Sequence, residues 1–133
     1  MSMNRFYIKM KRGKMNKQII IKLILPIALL ASGCAVEPQK VVPEPYLLGQ
    51  VSFHKVCANC HGADAMGTNK APRLIHSRYS EENFSNKKVA KTIMNGSSSG
   101  AMPAQKNKVT QEDVKQIIKY LRYSQKDITP ENS

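Results

Sequence analysis

Hydrophobic positions along the chain fall into three stretches with helical spacing, separated by segments rich in glycine, proline and serine. In the first, starting near Tyr46, Gly49, Phe53 and Cys57 recur every four residues and share one helix face. In the second, Val89, Ala90 and Ile93 point one way; Ser80 or Ser85 can cap its start, and Asn95-Gly96 supplies a stop. In the third, Val114, Ile117, Ile118 and Leu121 follow the i, i+3, i+4, i+7 rule, with Lys115, Lys119 and Arg122 on the polar face. Thr110-Gln111-Glu112-Asp113 before it is a capping-box pattern. An irregular loop joins the first two helices. No stretch of useful length alternates as a strand would, and no repeat is present, so the pattern predicts an all-α fold with three main helices.

One further apolar run, residues 23–30, stands apart because of what surrounds it. Residues 1–33 hold seven Lys or Arg and no acid, and end in Ala31-Ser32-Gly33 directly before Cys34, which reads as a secretory signal. The small residues before the cysteine resemble the lipobox of bacterial lipoproteins, with Ala31 in place of the commoner leucine. Cys34 is therefore expected to become the lipidated first residue of the mature chain, on the periplasmic side of a membrane in the bacterial envelope. An uncleaved anchor fits less well: residues 19–30 are interrupted by Lys22 and Pro26 and fall short of the ~20 apolar residues needed to span a bilayer. Met15-Asn16-Lys17 offers a second start of ordinary signal length. The expected organisation is a signal over 1–33, a lipidated end and proline-rich tether over 34–45, one domain over 46–123 and a flexible tail over 124–133. An extended tether would reach about 34 Å at ~3.1 Å per residue.

The signal also changes the charge argument. The whole chain has 21 basic and 9 acidic side chains, a net of +12, but from Cys34 onward 14 basic residues face 9 acidic ones, a net of +5. No basic stripe interleaved with aromatics remains, so nucleic-acid binding loses its support.

Chemistry concentrates in Cys57-Ala58-Asn59-Cys60-His61. C-x-x-C-H is the pattern on which haem is attached to protein through two thioethers. Thiols at i and i+3 share one side of a helical turn, and the adjacent imidazole can ligate the iron. A thioredoxin-like redox pair would need a strand feeding the helix, and a structural zinc site would need four ligands where only Cys34, His54 and His76 are left. The expected cofactor is one covalent haem c held by Cys57, Cys60 and His61. All three cysteines are then used, one for lipid and two for haem. A domain of under 80 residues is too small to build a large core unaided, and the haem would supply it.

A second axial ligand must come from Met66, Met94, Met102, His54 or His76. Met66 follows His61 by only five residues, and His54 lies seven residues before it on the same helix, so neither crosses the porphyrin easily. Met94 sits beside Ile93 and reads as core. Met102 lies in Gly96-Ser97-Ser98-Ser99-Gly100-Ala101-Met102-Pro103, a loop with no core pattern, and Pro103 restricts it to an extended backbone. His61 and Met102 are the expected metal ligands.

These features together resemble class I cytochromes c, the small bacterial single-haem type. Gly49 and Phe53 match a glycine eight residues and an aromatic four residues before the first haem cysteine. Ile117, Tyr120 and Leu121 match the C-terminal helix that crosses there, and Met102-Pro103 matches the methionine loop. Ala71-Pro72-Arg73-Leu74 resembles the segment whose proline carbonyl accepts a hydrogen bond from the proximal imidazole, which implies that role for Pro72. The resemblance implies the class I fold wrapped around one haem, and a carrier that shuttles one electron, with no catalytic residues and no small-molecule substrate. Methionine ligation would favour Fe(II) and a potential in the upper part of the haem range. Lys87, Lys88, Lys91, Lys106 and Lys108 flank the methionine loop and form either a docking rim for an acidic redox partner or a solvated face. Two rivals remain. One is a five-coordinate haem gas sensor or peroxidase-like enzyme, with His76 and Arg73 or Arg78 as a thin distal set; the other is an electron-entry subunit of a larger respiratory complex.

Overall fold

Helix α1 spans Glu44–Val56, α2 Ala58–His61, α3 Asn86–Asn95 and α4 Gln111–Ser124 in the computed structural model, which describes residues 36–128. Short 3₁₀ turns lie at Ala63–Ala65, Ser77–Tyr79 and Gln125–Asp127, and no strand occurs among the described residues. The expected signal, Cys34 with its expected lipid, and tail residues 129–133 lie outside the described residues.

The three expected helices are present, and local chemistry explains their ends. Ser85 caps α3, its hydroxyl accepting from the Lys88 N–H, and Gly96 ends the helix at φ +84°. Thr110 and Asp113 close a reciprocal capping box on α4. α1 begins at Glu44, earlier than the spacing suggested, with Pro43 as its cap and Pro45 in its first turn. Proline is at home there because first-turn N–H groups have no helical partner to lose.

α1 and α4 cross at Gly49. A Cβ at this position would lie 2.1 Å from the Gln116 carbonyl oxygen and 2.7 Å from Tyr120 Cβ, so only glycine lets the two backbones meet. Around the crossing Phe53, Val114, Ile117 and Tyr120 are fully buried, and Tyr46 stacks on Tyr123 with ring centroids 4.1 Å apart. Arg122 belongs to the structure rather than to a solvated face. Its Nε donates to Asn86 Oδ1, Nη1 to the Tyr79 carbonyl and Gln125 Oε1, and Nη2 to the Phe84 carbonyl. It therefore fastens α4 to α3 and to the connecting loop.

Residues 36–43 do not behave as a free tether. The Gln39 and Lys40 N–H groups donate to Asp64 Oδ2 at 2.8 and 2.9 Å, the Lys40 carbonyl accepts from Gln50 Nε2 at 2.7 Å, and Val36 and Val42 pack on the core. Asp64 Oδ1 accepts from Gln50 Nε2 and from the Tyr120 hydroxyl, at 3.3 and 3.2 Å. Asp64 also donates its own N–H to His54 Nε2, while His54 Nδ1 lies 2.9 Å from the Gln50 carbonyl. One buried carboxylate thus joins the N-terminal segment, α1, the loop after His61 and α4. The end of the chain is likewise bound further than composition suggests: Ser124 is buried, Gln125 Nε2 donates to the Leu74 and Tyr79 carbonyls, and Ile128 packs against the core.

Candidate haem site

Cys57 closes α1 and opens α2. Its carbonyl accepts from the N–H groups of Cys60 and His61 at 3.1 and 2.9 Å, a single helical turn that sets both thiols and the imidazole from one short piece of backbone. Gly62 then leaves the helix at φ +76°. Cys57 is buried and Cys60 exposed. Burial, and then the neighbouring Cys60, pushes the Cys57 thiol from 9.0 up to about 12, so at neutral pH it keeps its proton.

His61 is buried, and its Nδ1 lies 2.9 Å from the Pro72 carbonyl oxygen. A carbonyl can only accept, so Nδ1 carries the proton and the Nε2 lone pair is left free for a metal. The loop between them is built to make this contact. Asp64 and Ala65 adopt left-handed backbone, Gly67 donates to the His61 carbonyl, and Leu74 donates to Ala65 at 2.9 Å. Gly67 passes so close to Arg73 that a Cβ would sit 2.6 Å from its nitrogen.

A cavity of about 440 Å³ opens beside these residues, within the ~300–1,000 Å³ usual for bound cofactors. Cys57, Cys60 and His61 line it together with Phe53, Leu74, Ile93, Ile117 and Leu121. Met102 lines it from a separate segment, the loop after α3, with Ser97, Ala101 and Pro103. That loop is closed on itself: the Ser97 N–H donates to the Met102 carbonyl and the Met102 N–H donates to Ser97 Oγ, both at 2.9 Å. Gln105 supports the same strand of chain, donating from its backbone to Ile93 and from Nε2 to the Pro103 carbonyl. The other ligand candidates are elsewhere. Met66 and Met94 do not line the cavity, His54 is engaged with Asp64, and His76 caps the Ser77–Tyr79 turn by accepting from Arg78.

A family model described as cytochrome c oxidase, cbb3-type, subunit III matches residues 45–121. The chain belongs to this family. The match runs from the start of α1 through Leu121 and so takes in both haem cysteines, His61 and Met102. No individual curated protein and no solved structure matches the chain. As a member of the cbb3-type subunit III family, a class I-like c-type cytochrome family, the chain has the all-α cytochrome c fold, binds covalent c-type haem and takes part in haem-based electron transfer.

The residues of this subunit III member suit that group. Two thiols three residues apart can form the thioethers, a buried imidazole presents a fixed lone pair, and the walls are mostly apolar. Among the described residues, no three His, Cys, Asp or Glu side chains gather as a metal-binding cluster. Haem supplies the one-electron Fe(II)/Fe(III) couple; the chain attaches it, orients it and sets its surroundings.

Sequence reasoning missed Ser97, Gln105 and Asp64, none of which stands out by type or spacing. It also missed Lys70, which lines the cavity with Lys88.

Proposed function

We propose that this chain is an envelope-anchored, single-haem electron carrier with His61 and Met102 as axial ligands, tethered to a membrane by lipid on Cys34. It makes and breaks no substrate bonds. The observation that supports this most is the pairing, within one cavity, of an imidazole whose Nδ1 is tied to Pro72 and a methionine whose backbone is tied twice to Ser97. His76, Arg73 and Arg78, the distal set a peroxidase-like reading would use, do not line that cavity.

In the holoprotein, Met102→Ala is expected to abolish the weak red absorption band of ferric iron bound to a thioether sulfur and to lower the reduction potential, because a thioether favours Fe(II). A variant with unchanged spectrum and potential removes Met102 from the iron and brings the gas-sensor reading forward.

The cavity mouth carries Lys70 and Lys88, and Lys87, Lys91, Lys106 and Lys108 are exposed nearby in sequence. The reading follows that the partner docks with an acidic surface, so electron transfer slows steeply as ionic strength rises past the ~10 Å screening length reached at 0.1 M. Rates flat from low to high salt in stopped-flow mixing reduce these lysines to a solvated face. The family description favours a second reading, in which the domain is the electron-entry subunit of a membrane oxidase. Purification from native membranes in mild detergent separates the two, because a subunit brings its partners with it.

A further inference from the structure

Helices α3 and α4 turn lysines outward: Lys87, Lys88 and Lys91 on one, Lys115 and Lys119 on the other. α1 does not. Its outward face carries Leu47, Leu48 and Val51, which are 47%, 68% and 58% exposed, and the segment leading into it carries Val41, 99% exposed. At about 100° per residue these three helix positions fall within one arc, opposite the Phe53, Val56 and Cys57 face that lines the cavity. Single exposed apolar residues are ordinary on a protein surface, but a helix with apolar side chains on both faces has a second surface to cover.

Chain length says what covers it. The Gln39 and Lys40 N–H groups are fixed on Asp64, and the Lys40 carbonyl is fixed by Gln50, the neighbour of Val51 in sequence. Cys34 lies five residues before Gln39. A chain attached to a membrane through Cys34 can extend at most about 17 Å from that fixed point. The expected 34 Å tether is thus halved, and α1 is held near the surface that carries the anchor.

We propose that the outward face of α1, Leu47, Leu48 and Val51 with Val41 beside it, rests on the phospholipid surface of the membrane, so that the haem cavity opens away from the lipid. This rests on the anchored reading of Cys34. Glu44 and Lys55 stand on the same face at the two ends of the helix, so the contact draws on apolar area rather than on net charge.

The full-length holoprotein, purified from membranes and placed in phosphatidylethanolamine and phosphatidylglycerol vesicles containing a phospholipid with a photoactivatable acyl chain, tests the contact. All four residues fall in one tryptic peptide, 41–55. That peptide is expected to take most of the label, and Leu48→Glu with Val51→Glu to cut its labelling about tenfold while the haem spectrum and membrane retention stay unchanged. Both side chains are exposed, so the fold does not depend on them. Label spread evenly over all tryptic peptides, or undiminished in the double variant, overturns the contact. Cross-linking of peptide 41–55 to a second copy or to another protein also overturns it, in favour of a protein interface. The mass of the N-terminal peptide reads the anchor separately. A soluble chain with unmodified Cys34 overturns the anchored reading, and the same vesicles added to it then decide the contact by the same labelling.

Discussion

Gly49→Ala is expected to lower the stability of the holoprotein by about 3 kcal/mol or more, the upper end for overpacking a well-filled core. Two effects oppose each other here. Alanine gains about 1 kcal/mol over glycine in a helix interior. Its methyl group, however, would lie 2.1 Å from the Gln116 carbonyl oxygen and 2.7 Å from the carbonyl carbon, and these are backbone atoms that no rotamer change can move. α1 and α4 must separate, which loosens Phe53 from Tyr120 and opens the wall that Phe53 and Ile117 give the haem. Guanidinium unfolding followed by far-ultraviolet circular dichroism measures the loss. A variant as stable as wild type would mean that the helices do not meet as closely as described.

Asp64→Ala comes next, with an expected cost of about 3 kcal/mol or more, because its buried carboxylate accepts several hydrogen bonds at once. The carboxylate accepts from the Gln39 and Lys40 N–H groups, from Gln50 and from Tyr120, and its removal strands donors at about 1–3 kcal/mol each where water cannot reach them. Segment 36–43 should detach, which amide hydrogen exchange at Gln39 and Lys40 would register. Tyr120 gives the same network a pH signature. Burial first, then the Asp64 charge and hydrogen bond, hold its phenol well above the ordinary value of 10.0. A folded-state pKa that is raised contributes stability that is complete below pH 10 and lost as pH climbs towards the folded value. Wild type should therefore lose unfolding midpoint above pH 10, and Tyr120→Phe should lose less of it. Equal alkaline losses in both proteins would remove Tyr120 from the account.

Much of this was legible in the chain, for physical reasons. Capping at Ser85 and Thr110, the stop at Gly96 and the apolar stripes of α3 and α4 are local signals, and local signals survive folding unchanged. The C-x-x-C-H turn is equally local. What escaped notice depends on contacts between segments far apart in sequence. Asp64 meets Gln39 across 25 residues and Tyr120 across 56, and Arg122 reaches Tyr79 across 43. The prolines of the supposed tether misled for a different reason: Pro43 and Pro45 suit an extended chain and a helix start equally well, and periodicity cannot choose between them.

The twin hydrogen bonds between Ser97 and Met102 carry a consequence for speed. An electron hops slowly when atoms around the iron must shift between its two charge states, since that rearrangement is itself a barrier. Here the backbone on which Met102 stands is fixed through both its N–H and its carbonyl, and the turn before it is bonded as well, the Gly100 N–H donating to the Ser97 carbonyl at 3.0 Å and Ser99 Oγ lying 3.2 Å from Ser97 Oγ. On the proposed ligation by Met102, a donor set in place before the electron arrives would leave little rearrangement to be done when it does.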